Sequence, residues 1–168
     1  FLQNKNIDKY LYKVVHKICS IALKMSGQKE CDKLITKAIE SGKAYEIFEK
    51  MVKTHKGDLK RSYKENIPKY RYTYNSKKSG YLSGIDTEKL GYLLLEIGGG
   101  RKTTNDKIDP SCGLHINKKI NDKIDIGEPI IEIFGNNKTK IDSVEKIFDN
   151  IIFISNKKNK EKRLIIYE

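Results

Sequence analysis

The sequence predicts an α+β protein with a helical segment at residues 1–58 and a mixed β-sheet and helix domain at residues 59–168. Two observations lead to this division. Apolar residues recur at helical spacing up to about Val52, whereas apolar and polar residues alternate as in strands from Tyr70 onward. Between them, the stretch from His55 to Pro68 is polar and poor in periodic apolar residues, as connectors are. A chain of 168 residues is long enough for two such units.

Three helices are predicted in the first segment. The first begins after Asp8, a suitable N-cap, and runs to about Met25, while the second ends at Ser41 and Gly42. The apolar stripes of the three helices are Leu11, Val14, Val15, Ile18, Ile21 and Ala22; Cys31, Leu34, Ile35, Ala38 and Ile39; and Ala44, Ile47, Phe48, Met51 and Val52. Such stripes are typical of helices that pack against a core, and less often of cofactor sites.

The second unit begins with two predicted strands and a helix. Tyr70, Tyr72 and Tyr74 alternate with Arg71 and Thr73, which is the period-two pattern of a strand. Residues 80–85 predict the next strand. A helix capped by Asp86 or Thr87 then runs to about Ile97, and its apolar residues are Leu90, Leu93, Leu94 and Ile97.

Strands and turns dominate the prediction for the rest of the chain. Cys112, Leu114 and Ile116 alternate with Gly113, His115 and Asn117 and predict a strand. Asn121-Asp122 and Gly127-Glu128-Pro129 predict turns, and Ile130, Ile131, Ile133 and Phe134 predict an apolar strand between the second turn and a helix. That helix runs from Lys138 to about Asp149, and strands at residues 151–154 and 164–167 complete the prediction.

Three successive glycines, Gly98, Gly99 and Gly100, followed by Arg101, form the candidate functional loop. Glycine enters left-handed conformations easily, so these residues end the preceding helix and leave backbone N–H groups exposed. In a functional interpretation, the loop brings Arg101 and these N–H groups across a cleft toward an anionic substrate or an opposing carboxylate. In a structural interpretation, the glycines only end the helix and Arg101 pairs with Asp106 or Asp109. The residues alone leave both interpretations open.

The glycine loop belongs to a longer pattern. It follows Gly80-Tyr-Leu-Ser-Gly-Ile-Asp86 and precedes Asp106-Lys-Ile-Asp109, Gly113 and Gly127-Glu128-Pro129. This pattern resembles the C-terminal domain of the pyrimidine-nucleoside phosphorylase family, which includes thymidine phosphorylase. Residues 34–52 are similar to the paired helices that end the larger domain of the family, so the resemblance covers about residues 10–135. Asn121 stands where the family generally has glycine, and asparagine tolerates a left-handed position.

The resemblance implies a hammerhead-like or barrel-sandwich-like C-terminal domain and a pentosyltransferase activity. In this family, orthophosphate cleaves thymidine, uridine or deoxyuridine into the base and a (deoxy)ribose 1-phosphate, and the glycine loop lies near a cleft that closes. The phosphate-binding Lys-x-Ser element and the base-recognition Arg, Ser and Lys belong to an N-terminal part of the enzyme that has no match here. We therefore expect the C-terminal part of a homodimeric phosphorylase, which forms one cleft wall and carries no catalytic residue of its own. Pyrimidine nucleoside and phosphate are the expected ligands of the complete enzyme, and no cofactor is expected.

The basic composition invites a nucleic-acid hypothesis, since 34 Lys and Arg against 22 Asp and Glu give a net charge of +12. Nearly all of the basic residues are lysine, scattered along the chain, which is typical of a solvated surface. Arginine is the usual residue for bidentate recognition of phosphate and guanine. Tyr70, Tyr72 and Tyr74 could stack single-stranded bases, but a first strand explains them more simply. We therefore expect no nucleic-acid partner.

Cysteine and histidine spacing predicts no metal site. The three cysteines lack a Cys-x-x-Cys pair and form no disulfide framework, which fits a reducing cytoplasm. His16, His55 and His115 are dispersed, without Cys or carboxylate at ligand spacing. No apolar run approaches the roughly 20 residues that span a bilayer. We expect a soluble, cytoplasmic protein without a membrane partner.

A biotinyl or lipoyl carrier module is the main alternative, because such barrel-sandwich domains also have glycine-punctuated strands. A carrier presents a modifiable lysine at a tight hairpin tip, commonly beside Met or Asp. Lys118, Lys119 and Lys123 lack that setting, and the helix at residues 87–97 is foreign to a simple carrier. A basic nucleic-acid-binding module is the remaining alternative.

Overall fold

The structure, a computed structural model, describes residues 1–160, and its backbone contacts divide the chain after Ser62 into two compact units. The first unit is helical, and the second combines helices with two small antiparallel sheets. The predicted α+β class is therefore confirmed. The assignment of residues 1–58 and 59–168 as separate functional domains stays a prediction.

The helices at the start of the chain are α1 (Lys9–Met25), α2 (Cys31–Glu40), α3 (Lys43–Thr54) and α4 (Leu59–Glu65). Asp8 caps α1, because its Oδ1 accepts the N–H groups of Tyr10 and Leu11, both at 2.9 Å. Gly42, with a φ of 76°, lies between α2 and α3, where a left-handed residue reverses the chain. The first three helices confirm the periodicity argument.

Helix α4 was not expected, and the prediction of a featureless connector from His55 to Pro68 is wrong there. Asp58 accepts the N–H of Arg61 at 3.0 Å and so stabilises the first turn of α4. None of the residues of α4 is buried. A helix without a buried face leaves no apolar period in the sequence, which explains the error.

The second unit contains the strands β1 (Tyr70–Asn75), β2 (Gly80–Ile85), β3 (Gly113–Ile116), β4 (Lys123–Ile124), β5 (Pro129–Gly135) and β6 (Ile152–Ser155). Strand β5 lies between β1 and β3 in one sheet, and β2 lies between β4 and β6 in the other. All of these pairings are antiparallel. The strands predicted within residues 70–155 are confirmed, whereas the strand predicted at residues 164–167 lies outside the described residues.

The core of the second unit is built around Phe148, which is fully buried. Its ring stacks on Tyr74 and Tyr72, with centroid distances of 4.9 and 6.1 Å. Ile131 and Ile133 of the central strand β5 are also fully buried and belong to the same cluster. Burial of these side chains supplies the main stabilisation of the unit.

Two helices cover this core, α5 (Thr87–Ile97) and the short α6 (Lys138–Asp142). The single helix predicted from Lys138 to about Asp149 is wrong in its second half, where Glu145–Asn150 forms a 3₁₀ helix. The hydroxyl of Ser143 donates to the carbonyl of Lys140 at 2.8 Å. This bond satisfies a carbonyl of the last turn of α6, where Ser143 is the C-cap residue.

Candidate functional site

The glycine loop begins where α5 ends. Asp86 caps the start of this helix by accepting the N–H of Lys89 at 3.0 Å. At the other end, Gly98 has a φ of 106°, a left-handed conformation that favours glycine. Its N–H donates to the carbonyl of Leu95 at 3.1 Å, and the N–H of Gly99 donates to that of Leu94 at 2.8 Å. The N–H groups of Gly98 and Gly99 are therefore engaged by the helix end, contrary to the expectation that they are exposed.

Gly99 and Gly100 pack closely against leucine side chains of the preceding helix turn. A Cβ on Gly99 would lie 2.6 Å from a methyl carbon of Leu94, and one on Gly100 would collide with the end of Leu95. Both leucines would have to move before larger residues could be accommodated. The loop thus folds back over the last turn of α5, and this keeps its path defined.

Arg101 is exposed and, within residues 1–160, forms no ion pair with Asp106 or Asp109. Asp106 instead accepts the N–H groups of Lys102 and Thr103 at 2.8 and 3.0 Å. These bonds, with a further one from the hydroxyl of Thr103, hold the pKa of Asp106 below its ordinary value. The carboxylate that could have neutralised Arg101 is thus occupied by the loop backbone.

Asp109 anchors the far end of the loop. Its N–H donates to the carbonyl of Gly98 at 2.9 Å, and its Oδ1 accepts the N–H and hydroxyl of Ser111 at 3.0 and 2.5 Å. Burial raises the pKa of Asp109, but the hydrogen bonds from Ser111 lower it and the net shift is downward. Burial, followed by the charge of Asp109, raises the pKa of the Cys112 thiol, which donates to the carbonyl of Ile97 at 3.2 Å.

A groove with a volume of about 340 Å³ lies along the loop. Its lining consists of Leu95, Gly98, Gly100, Asp106 and three lysines, Lys102, Lys107 and Lys140. Lys102 also pairs with Glu96 at 2.5 Å. The adjoining Lys102 and Lys107 could have been suspected from the sequence, whereas Lys140 comes from α6 and no local signal connects it to the loop. Asp106 and the pairing of Lys102 with Glu96 offset part of the positive charge, so the lining stays net positive mainly through Lys107 and Lys140, which favours an anion.

A second polar cluster joins β1, the turn between β1 and β2, and the 3₁₀ helix. The ammonium of Lys77 binds both carboxylate oxygens of Asp149, at 2.8 and 2.9 Å, and Asp149 also accepts the hydroxyl of Tyr74 at 3.2 Å. The hydrogen bond with Lys77 lowers the pKa of Asp149, while burial and then Asp149 raise the pKa of Tyr74. Every member has a partner, so the cluster is best explained as a clamp on the β1–β2 turn.

Several residues considered for the alternative functions are engaged in structural contacts, whereas Tyr70 and Lys123 are exposed. Lys118 pairs with Glu128 across the second turn, which lowers the pKa of Glu128, so Lys118 is not displayed as a carrier lysine would be. The buried Tyr74 and the partly buried Tyr72 stack on Phe148, so these contacts already occupy ring surface that base stacking would need. These contacts do not favour either alternative.

Histidine and cysteine side chains do not converge on a metal-binding geometry in the part of the chain that the structure describes. His16 lies 3.6 Å from the carboxylate of Asp32, as an isolated pair. The cysteines Cys19, Cys31 and Cys112 are free thiols. Among residues 1–160, no helix combines the length and apolar character that crossing a membrane requires.

Comparison with known proteins shows which protein family part of this chain resembles. Residues 81–155 match the model of the pyrimidine nucleoside phosphorylase C-terminal domain. Pyrimidine-nucleoside phosphorylases of Staphylococcus aureus strains bovine RF122 / ET3-1 and USA300 are each 35% identical to this chain over 138 residues. These alignments cover 80% of the chain but 32% of each relative, so the chain spans about a third of the length of these curated relatives. The glycine loop, residues 98–101, lies within the matched range.

Proposed function

We propose that this chain, whose residues 81–155 belong to the pyrimidine nucleoside phosphorylase C-terminal domain family, acts as the C-terminal part of such an enzyme. The confirmed resemblance carries this proposal, because it extends over 80% of the chain at 35% identity. The proposed reaction of the complete enzyme is the phosphorolysis of a pyrimidine nucleoside to the free base and a (deoxy)ribose 1-phosphate. The proposed setting is the cytoplasm, with a homodimeric enzyme.

The contribution proposed for this part is to form one wall of the substrate cleft and to move during closure. Phosphorolysis needs phosphate and nucleoside held in a fixed relative position, and closure of two bodies provides this. The second unit has its own buried core and can therefore move as one body. Arg101, exposed and without a carboxylate partner among the described residues, is the side chain best suited to meet an anion or an opposing carboxylate on closure.

The first test measures phosphorolysis by the chain alone. With thymidine or uridine and phosphate, we expect no release of the free pyrimidine above the blank, because the phosphate-binding Lys-x-Ser element and the base-recognition residues of the family have no match in this sequence. Measurable turnover that copurifies with the chain would contradict the proposed division of labour.

The second test uses a hybrid enzyme, in which this chain replaces the matching third of the Staphylococcus aureus pyrimidine-nucleoside phosphorylase. We expect the hybrid to catalyse phosphorolysis. Arg101→Ala should lower its kcat by roughly tenfold or more, because closure would lose one charged hydrogen bond worth about 1.5–3 kcal/mol, with little change in thermal stability. Lys29→Ala, at an exposed position on the first unit, is the matched control and should leave kcat unchanged. A folded hybrid without activity would contradict the proposed function, and a normal kcat in Arg101→Ala would remove Arg101 from it.

A further inference from the structure

Helix α1 exposes a line of large apolar side chains. Leu11, Val14, Ile18, Ile21 and Met25 follow one another at intervals of three and four residues, and we call this line the α1 seam. Leu11, Ile18, Ile21 and Met25 are 47%, 60%, 41% and 84% exposed, respectively. Single exposed apolar residues are ordinary on protein surfaces, but an aligned set of this size marks an interaction surface.

The seam is distinct from the face by which α1 packs within its own unit. Val15, Cys19 and Leu23 line an apolar groove of about 400 Å³, together with Leu34 and Ile35 of α2. At about 100° of rotation per residue, the centre of the seam lies roughly 120° around the helix from those three residues. Helix α1 therefore has two apolar faces, and its packing with α2 explains only one of them.

The spacing of the seam specifies the shape of its partner. Alternating intervals of three and four residues are the a and d positions of a heptad repeat, which fit between the side chains of a second α-helix. An extended strand, whose side chains repeat every second residue, would not match this spacing. From Leu11 to Met25 the seam extends for about 21 Å, which is enough for two heptads.

Charge selects among possible helical partners. Helix α1 has no acidic residue, and with Leu11 at an a position its lysines Lys17 and Lys24 occupy g positions, which flank the seam on one side. Residues flanking a heptad seam choose the partner by their charge, so two antiparallel copies of α1 would set these lysines near those of the other copy. The net charge of +12 adds to this repulsion between copies. A helix with Asp or Glu beside its apolar stripe is complementary.

We propose that the α1 seam binds an amphipathic α-helix whose apolar stripe is flanked by acidic residues, and that this helix belongs to the part of a phosphorylase that this chain does not span. The chain spans 32% of its relatives, and the remaining two-thirds of such a protein provide the source of the helix. The origin of the helix rests on the proposed function, whereas its chemistry rests on the seam alone.

The chemistry is tested with two synthetic helical peptides of about three heptads, both with Leu at the a and d positions. One has Glu at the flanking positions and the other has Lys. Titration calorimetry with the full chain should show saturable binding of the Glu peptide and binding of the Lys peptide at least about tenfold weaker. Raising the salt concentration from about 0.05 to about 0.5 M should weaken binding of the Glu peptide, because salt screens the charges that flank its apolar stripe.

Seam variants locate the binding. Ile18→Asp and Ile21→Asp should each lower the affinity for the Glu peptide by roughly tenfold or more, since docking would bury an unpaired carboxylate. Ile47→Asp on α3 is the matched control, because Ile47 is 67% exposed and lies off the seam. Circular dichroism should show the same helix content in all three. Equal affinity for the Glu and Lys peptides would overturn the proposal, and so would an equal loss of affinity in Ile47→Asp. Self-association of the chain that Ile18→Asp abolishes would overturn it as well.

The origin of the helix is tested in the hybrid enzyme. Ile18→Asp should lower its melting temperature and activity, and Ile47→Asp should not. If the Glu peptide binds but the hybrid tolerates Ile18→Asp, the assignment to the phosphorylase is wrong. If the unmodified hybrid folds without activity while the peptide still binds, the proposed function fails and the acidic-helix chemistry remains.

Discussion

Replacing Gly98 by alanine is expected to destabilise the second unit. Gly98 holds a φ of 106°, and its backbone is tied on both sides, by its N–H to Leu95 and by its carbonyl to the N–H of Asp109. Rotation to an ordinary φ would break these bonds, so alanine must accept the left-handed conformation. A Cβ there costs about 1–2 kcal/mol.

Gly91→Ala in the same helix provides the opposite expectation. Gly91 lies within α5, and a Cβ at this position would meet nothing within 4 Å. Alanine there should stabilise the unit by about 0.5–1 kcal/mol, because it restricts the unfolded chain and favours helix. The two variants, with the same chemical change seven residues apart, should therefore differ by about 2 kcal/mol in the free energy of unfolding.

Urea unfolding followed by circular dichroism measures this difference. With a slope of about 1–3 kcal/mol/M for a small domain, the two midpoints should be separated by roughly 1 M. Gly98→Ala should also lower activity in the hybrid enzyme, because the path of Arg101 starts from this residue. A Gly98→Ala midpoint equal to or above that of the unmodified chain would refute the reasoning from the left-handed helix end.

Three other expectations concern the same unit. Phe148→Ala should lower the free energy of unfolding, measured in urea, by about 3–5 kcal/mol, because Phe148 is fully buried. Phe153 is 48% exposed, so Phe153→Ala should lower it far less. Equal losses in the two variants would contradict the placement of Phe148 at the centre of the core. The folded-state pKa of Asp109 is lowered, so its contribution to stability is present above about pH 4 and is lost as the pH falls through the folded pKa. Asp109→Asn should accordingly reduce the loss of unfolding free energy as the pH falls below about 4. If that loss is the same in the variant, Asp109 does not contribute to the pH dependence of stability. Because the pKa of Cys112 is raised, its alkylation by iodoacetamide at pH 8 should be slower than that of a free small thiol, and peptide mass spectrometry over time would reveal a contrary, rapid reaction.

Local signals in the sequence were sufficient to predict where two long helices begin and where one turn occurs. The sequence predicts Asp8 as one N-cap and either Asp86 or Thr87 as another, and in the structure Asp8 and Asp86 accept backbone N–H groups. Asn121 was predicted at a left-handed turn position, and its φ is 74°. These features depend on a few neighbouring residues, so a single sequence contains what is needed to predict them.

Other features depend on contacts between distant segments. In the structure β5 lies between β1 and β3, so that Tyr72 and Leu114 pair with Ile133 from opposite sides. These partners are far apart in the sequence, and no local signal predicts which strands become neighbours. Asp106 was considered as a partner for Arg101, but it binds backbone N–H groups that become available only in the folded loop. Lys140 reaches the loop groove from α6, about 40 residues from Gly98, and only the fold brings the two together.

The distribution of buried side chains gives the two units different requirements. The second unit has a continuous cluster around Phe148, with Ile131 and Ile133 fully buried, so its shape does not depend on another chain. In the first unit, Ile18 and Met25 remain exposed on α1, and such a surface becomes favourable only when something covers it. The proposed closure over substrate needs one body that is attached to the rest of the enzyme and one that moves as a unit. The exposed seam on α1 supports the proposal of attachment there, and the self-contained core of the second unit supports the proposal that this unit moves.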